Sequence, residues 1–280
     1  MKNTLLFLFL LLLGTETFAQ SKAIHTEVTG DGTPILFLPG FACPGDVWKS
    51  TAGRIGDGYE KHFLTYAGFV GTTPAKGPWY ETIKVGIVAY IKENNLKNTI
   101  LIAHSMGGNL AIDIARELPD RINKMVLADA LPCLREVMMP NMPAESISYK
   151  NPYNDRLMAM DSVAFANNAR MMAQQMTMSP EKKKLIATWM QQVDRKTFVY
   201  GYTDLLKLDQ KEQLADVKAK SLLLFAPVPD VARVKETIAK QYAKLSRKQV
   251  FIASGSLHFI MFDQEDWLVE KINEFLGHGQ

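Results

Sequence analysis

Cysteine is nearly absent. Among 280 residues only Cys43 and Cys133 occur, which excludes a scaffold stapled by several disulfides. The two could pair in an oxidising compartment if their geometry allowed it, and two separate buried thiols are the simpler expectation. Past the first twenty residues no apolar run approaches the roughly 20 residues that cross a bilayer, so no later membrane span is expected. Charge of one sign is nowhere concentrated. Lys and Arg number 32 against 29 Asp and Glu, for a net charge of +3, and stretches such as KKKLIATWMQQVDRK scatter their cations along helix faces. Such faces are solvated rather than aimed at a polyanion, so no nucleic-acid partner is expected. Internal repeats, low-complexity tracts, metal-ligand clusters and glycine-rich phosphate loops are also missing, and with them any reason to expect a metal or cofactor.

What is present is ordinary globular composition, 47% hydrophobic and 22% charged, in a length that suits one large domain or one domain with an insertion. The chain opens with MKNTLLFLFLLLLGTETFAQ. One lysine, an apolar run from Leu5 to Leu13 and the small residues Thr17 and Ala19 have the form of a secretory signal peptide covering residues 1–19. Cleavage after Ala19 would start the mature chain at Gln20, in the periplasm or the medium. No cysteine follows the apolar run, so neither a lipid anchor nor any other stable membrane anchor is expected after cleavage.

Hydrophobic patterning then gives a rhythm. AIHTEVTGDGTPILFLPG reads as a strand, a Gly-Asp-Gly turn and an apolar strand over Ile35–Leu38. Asp46 stands where a helix cap is expected, and His62–Tyr66 is strand-like. Tyr80, Ile83, Ile87 and Ile91 recur at helical spacing. A strand over Thr99–Ala103, a helix over Gly107–Leu118 ended by Pro119, and a strand over Lys124–Ala130 follow. From Leu131 to Val217 only helical stretches are visible, and the rhythm then resumes with SLLLFAP, a helix over Val231–Leu245, QVFIAS, and a helix over Trp267–Phe275. Strands alternating with helices of this length predict an α/β fold with a mostly parallel sheet covered on both faces. Its core would be residues 20–130 and 218–280, with residues 131–217 as an inserted helical cap.

At the junction of one strand and one helix stand Ala103, His104, Ser105, Met106 and Gly107. Small residues there can simply let a helix lie close to a sheet. They also permit the strained turn that lifts a serine hydroxyl clear at the sheet's carboxyl edge. The five residues resemble the nucleophile elbow of the α/β-hydrolase superfamily, with alanine in place of its usual first glycine. A serine needs a base, and the chain holds five histidines. His25 lies near the mature N-terminus, His62 precedes an early strand, His278 sits in the terminal tail, and His104 is the serine's neighbour. His258, in SGSLHFIMFDQ after the final strand, is the expected base.

The resemblance further implies an acid between serine and histidine in chain order. Asp230 in LLLFAPVPD is the expected residue and Asp129 in KMVLADALP the alternative. It implies two oxyanion donors, the backbone N–H groups of Met106 and of Phe41 in FLPGFACPGDVW. Pro39 stands there where relatives often carry histidine, and LTYAGFVGTTP lacks the aspartate common at its position. Dehalogenase and epoxide hydrolase chemistry is disfavoured, because those relatives carry aspartate at the place of Ser105.

Ten of the 14 methionines lie between Met138 and Met190. Methionine packs adaptably on irregular apolar shapes, so Met171 and Met176 are expected in an acyl pocket beneath the cap, the alternative being that they only pack the cap down. The expected function is a secreted, monomeric serine hydrolase that cleaves a small hydrophobic carboxylic ester through an acyl-enzyme at Ser105. Thioesterase, amidase or aminopeptidase, carbon–carbon hydrolase and perhydrolase activities remain open within the same fold, as does a non-catalytic binding protein.

Overall fold

The computed structural model describes residues 23–277. The signal-peptide expectation and His278 fall outside the described residues. Seven strands form one sheet: β1 (Ile24–Thr29), β2 (Thr33–Leu38), β3 (Tyr59–Tyr66), β4 (Thr99–His104), β5 (Ile122–Ala128), β6 (Lys220–Phe225) and β7 (Lys248–Ile252), in the order 1-3-2-4-5-6-7. β1 runs antiparallel to β3, and the other neighbours pair in parallel. The central strands ILFL and TILIAH are buried throughout, which is why they read as unbroken apolar runs rather than as alternation. The Gly-Asp-Gly turn joins β1 to β2, yet the two do not pair. β3 lies between them, with Ile24 opposite Tyr66 and Phe63 opposite Phe37.

Helices cover both faces. α1 (Lys49–Gly53) packs on the final helix, while α2 (Trp79–Glu93) and α3 (Met106–Glu117) pack together. α2 buries Tyr80, Ile83, Ile87 and Ile91, the stripe predicted from spacing. Asp46 is not a cap. It sits inside a 3-10 turn, Gly45–Trp48, whose preceding residue is Pro44, and its carboxylate reaches Lys49 at 3.0 Å.

Between β5 and β6 no strand occurs, and the chain forms α4 (Leu134–Met138), α5 (Pro152–Ala159), α6 (Ser162–Ala173), α7 (Pro180–Gln191) and α8 (Arg195–Lys207), joined by loops and two 3-10 turns. Four of these starts are written locally. Asn151, Asp161, Ser179 and Asp194 each accept a hydrogen bond from a backbone N–H three residues on, and prolines open α5 and α7, the pairing that satisfies otherwise orphaned N–H groups. The insertion is pinned to the sheet layer by buried polar contacts. Asp204 of α8 accepts from the Tyr80 N–H at 3.1 Å, and Gln210 exchanges hydrogen bonds with Asn109 at 2.8 and 2.9 Å. After β6 come α9 (Val231–Gln241), then β7, the short α10 (Ile260–Asp263) and α11 (Glu265–Leu276).

Cys43 and Cys133 are both buried and free. Burial pushes the Cys43 thiol far up from its ordinary range, so it has no thiolate character to offer as a nucleophile.

Candidate active site

Ser105 occupies the one residue between β4 and α3, with φ 52° and ψ −125°. A non-glycine residue there is strained, and such strain is held where function uses it. The turn is locked from both sides. Ser105 N–H donates to the Ala128 carbonyl at 2.9 Å, and its own carbonyl accepts from Gly108 at 2.8 Å. A Cβ on Gly107 would stand 2.5 Å from the Leu38 carbonyl and 2.6 Å from that of Pro39, so α3 starts against the end of β2 only because that position is glycine. Ala103, the departure from the usual pattern, fits fully buried within β4.

His258 follows β7 on the loop before α10. Its Nδ1 lies 2.6 Å from Asp129 Oδ2. A carboxylate can only accept, so Nδ1 carries a proton, and in the neutral ring Nε2 then keeps its lone pair. Asp129 comes directly after β5 with φ 47°. Its N–H donates to Leu224 at 2.7 Å and its Oδ1 accepts from Ala226 N–H at 3.0 Å, which aims the second oxygen at the imidazole.

The expected acid is therefore corrected: Asp230 does not reach His258. It is exposed and caps α9, accepting from Arg233 N–H at 2.9 Å. The reason is distance along the chain. Ala226, Pro227, Val228 and Pro229 carry the chain away from the edge of β6 before Asp230 begins a helix, whereas Asp129 is the first residue beyond β5.

His104 buttresses the same loop. Its Nε2 meets the His258 carbonyl at 3.0 Å and so carries the proton, and its ring packs 4.5 Å from that of His258. Nδ1 is buried without a partner, and a Cβ on Gly40 would stand 2.7 Å from it. Burial first, and the neighbouring His258 second, hold His104 well below the usual histidine range, hence neutral. In sequence His104 is set aside as the serine's neighbour, and the signal of its role is a histidine inside an otherwise apolar strand.

Met106 is the first residue of α3, where backbone N–H groups have no partner within the helix. Phe41 lies in the loop after β2, its ring packed edge-on against Phe69, Trp79, Phe198 and Tyr202. These contacts anchor the loop without the missing histidine.

Ser105 and His258 together line two hollows. One of about 230 Å³ is walled by Phe41, Met138, Met172, Met176, Met190 and Phe259. The other, of about 160 Å³, lies on the Asp129 side toward α9. Met176 stands in the first wall. Met171 does not: it is 67% exposed, because α6 turns its neighbour Met172 inward. The expectation for Met171 is corrected accordingly.

Among the described residues one group, Cys133, Glu136 and Asp209, brings potential metal-ligand atoms within 4.8 Å of one another. Lys211, Lys240 and Arg135 already pair with its carboxylates, so the cluster is a neutralised ion network and is a poor fit for a cation. No described helix is long and apolar enough to cross a membrane.

Comparison with known proteins agrees with this architecture. A family model described as the alpha/beta hydrolase family matches residues 35–271. The chain is 20% identical over 263 residues to a pimeloyl-[acyl-carrier protein] methyl ester esterase of Vibrio cholerae, covering 91% of this chain and 99% of that protein. It is 24% identical to an N-formylmaleamate deformylase of Pseudomonas putida, covering 89% and 90%. Among solved structures, a thermophilic esterase from Thermogutta terrifontis superposes with a TM-score of 0.75 at 17% identity, covering 90% of this chain and 92% of that one.

Proposed function

The chain belongs to the alpha/beta hydrolase family, and we propose that within it the protein is a secreted serine hydrolase that cleaves a small hydrophobic carboxylic ester through an acyl-enzyme at Ser105. The observation that carries this reading is the Asp129–His258 pair at 2.6 Å beside a serine held on a strained strand-to-helix turn. In this reading His258 Nε2 takes the Ser105 proton as Oγ attacks the ester carbonyl. The tetrahedral oxyanion is met by the N–H groups of Phe41 and Met106, each such donor being worth roughly 3 kcal/mol of barrier. Collapse expels the alcohol, which leaves with the proton from His258. Water, deprotonated by the same nitrogen, then attacks the acyl-enzyme and releases the acid and the free serine. Asp129 keeps the imidazole in the required tautomer throughout.

The two relatives are named for a methyl ester and a deformylation, so family membership alone does not choose the bond. The methionine-walled hollow favours an apolar acyl group, which buries well against thioether side chains. The apolar run at Leu5–Leu13 supports export, and N-terminal sequencing of the protein from expressing cells tests it by finding, or not finding, a start at Gln20. The reaction is tested with a fluorophosphonate probe and a panel of ester, thioester and peptide substrates. Labelling at Ser105, with ester turnover lost in Ser105→Ala, agrees with the proposal. A folded protein that neither labels nor turns over any ester refutes it.

A further inference from the structure

The position of the acid has a spatial consequence. Because the carboxylate on His258 comes from β5, the connection after β6 is released from catalytic duty, and what lies at that edge is the hollow of about 160 Å³. Phe225, Val228 and Pro229 form one side, Val234 and Thr237 of α9 another, and Val137 of α4 the third. Ser105, Asp129 and His258 also line it. It diverges from the methionine-walled hollow: apart from Ser105 and His258, only Leu134 and Leu205 line both.

The inward-facing polar groups of the second hollow are largely engaged, and its one cation is at the solvent side. Asp129 is bound to Ala226 N–H and to His258, and Arg233, paired with Glu236 at 3.2 Å, is a largely exposed side chain. Asn109, also in the lining, spends its amide N–H groups on Leu131 and Gln210. A polar limb entering here would leave water for few free partners, which costs free energy, whereas an apolar limb gains by burial.

Resting on the ester reading above, we propose that this β6–α9 hollow is a second binding site that takes the alcohol limb of the substrate. The substrate class is then an ester with apolar groups on both sides, such as an alkyl alkanoate, in preference to a methyl ester or an ester of a polar alcohol. His258, which must protonate the departing alcohol, lines both hollows, so an alcohol seated here with the acyl chain in the methionine hollow still leaves beside it.

The test is kcat/KM for methyl, ethyl, propyl and butyl hexanoate, and for butyl esters of increasing acyl length. It is run on wild type, Thr237→Trp and Val228→Trp. Val228 is exposed, so its substitution does not put folding at stake if the half-buried Thr237→Trp fails to fold. Each added methylene of alcohol should raise wild-type efficiency by up to about fourfold, and either tryptophan should collapse the butyl-to-methyl ratio to within about threefold of one while the acyl series keeps its wild-type climb. A flat alcohol series in wild type, or an unchanged ratio in folded variants, overturns the assignment. So does a tryptophan that flattens the acyl series instead. Failure of the ester reading itself looks different: no ester of either series is cleaved.

Discussion

Asp129 and His258 meet at 2.6 Å although 129 positions of chain separate them, and the contact is made by the first residue after one strand and a loop residue after another, two strands away in the sheet. Nothing local to either residue encodes it. The parallel register from β5 through β6 to β7 does.

That contact ranks the acids. Asp129→Asn should lower kcat/KM by about four orders of magnitude, as expected when an orienting carboxylate is lost and the wrong tautomer is admitted. Ser105→Ala and His258→Ala should each cost at least as much, since the three act as one unit. Asp230→Asn should stay within a few-fold of wild type, and Asp230→Ala should show instead as a loss of about 1 kcal/mol of stability from the α9 cap. Steady-state kinetics beside thermal melts decide it; the opposite ranking returns the acid to Asp230.

Acid should destabilise the fold through His104. Its folded-state affinity for a proton is depressed by burial, so below the ordinary histidine range, roughly pH 6.5, the unfolded chain binds a proton that the folded chain refuses. Stability is then full above that pH and falls as pH drops, with a slope of up to about 1.4 kcal/mol per unit for this group. His62 adds in the same direction, since burial outweighs the Glu60 charge beside it. His104→Gln should reduce the slope between pH 7 and 5 in melting experiments, and an unchanged slope would assign the acid sensitivity elsewhere.

The same substitution separates scaffold from support. Glutamine retains a donor that can reach the His258 carbonyl, while His104→Leu does not. Turnover should fall further in the leucine variant, chiefly in kcat, with substrate KM little altered. Equal kcat in the two variants would show that the hydrogen bond to the His258 carbonyl contributes nothing to holding the base.

Chain-length preference should depend on inward methionines only. Met172→Gln and Met176→Gln should flatten the rise of kcat/KM with acyl length, because each buried methylene is worth about 0.8 kcal/mol at most. Met171→Gln, at a solvent-facing position, should leave the series as in wild type. A slope that responds to Met171 but not to Met172 would contradict the wall as described.

The sequence made some of this legible and hid the rest for definite reasons. The position of Ser105 shows because its turn is local: an apolar strand, small residues and an amphipathic helix within a few positions. His258 stands out because so few histidines exist. The acid was ambiguous because Asp129 and Asp230 both trail strands, and reach across a sheet edge is not a local property. Asp230 is instead taken up by the start of VARVKETIAKQ, which it caps. Met172 lies in the last turn of α6 with its neighbour Met171 turned to solvent, while Met176 lies in the turn beyond the helix end at Ala173, where helical spacing no longer tells which way a side chain faces. Which side meets Ser105 depends on how α6 packs against α7. Likewise the adjacency of β1 and β2 in sequence concealed their separation in the sheet, since β3 arrives from thirty residues downstream to part them.

Asp263 ties the loop of His258 to the inserted helices. One carboxylate oxygen accepts from Leu257 N–H at 2.9 Å, the other from Thr177 Oγ at 2.5 Å and Met178 N–H at 2.9 Å, and Phe259 N–H donates to Met176 at 2.9 Å. The general base and the roof segment between α6 and α7 are thereby clamped as one body. Displacing that edge would also move the backbone that carries the imidazole, so the wall of the methionine hollow and the general base share one hydrogen-bonded frame.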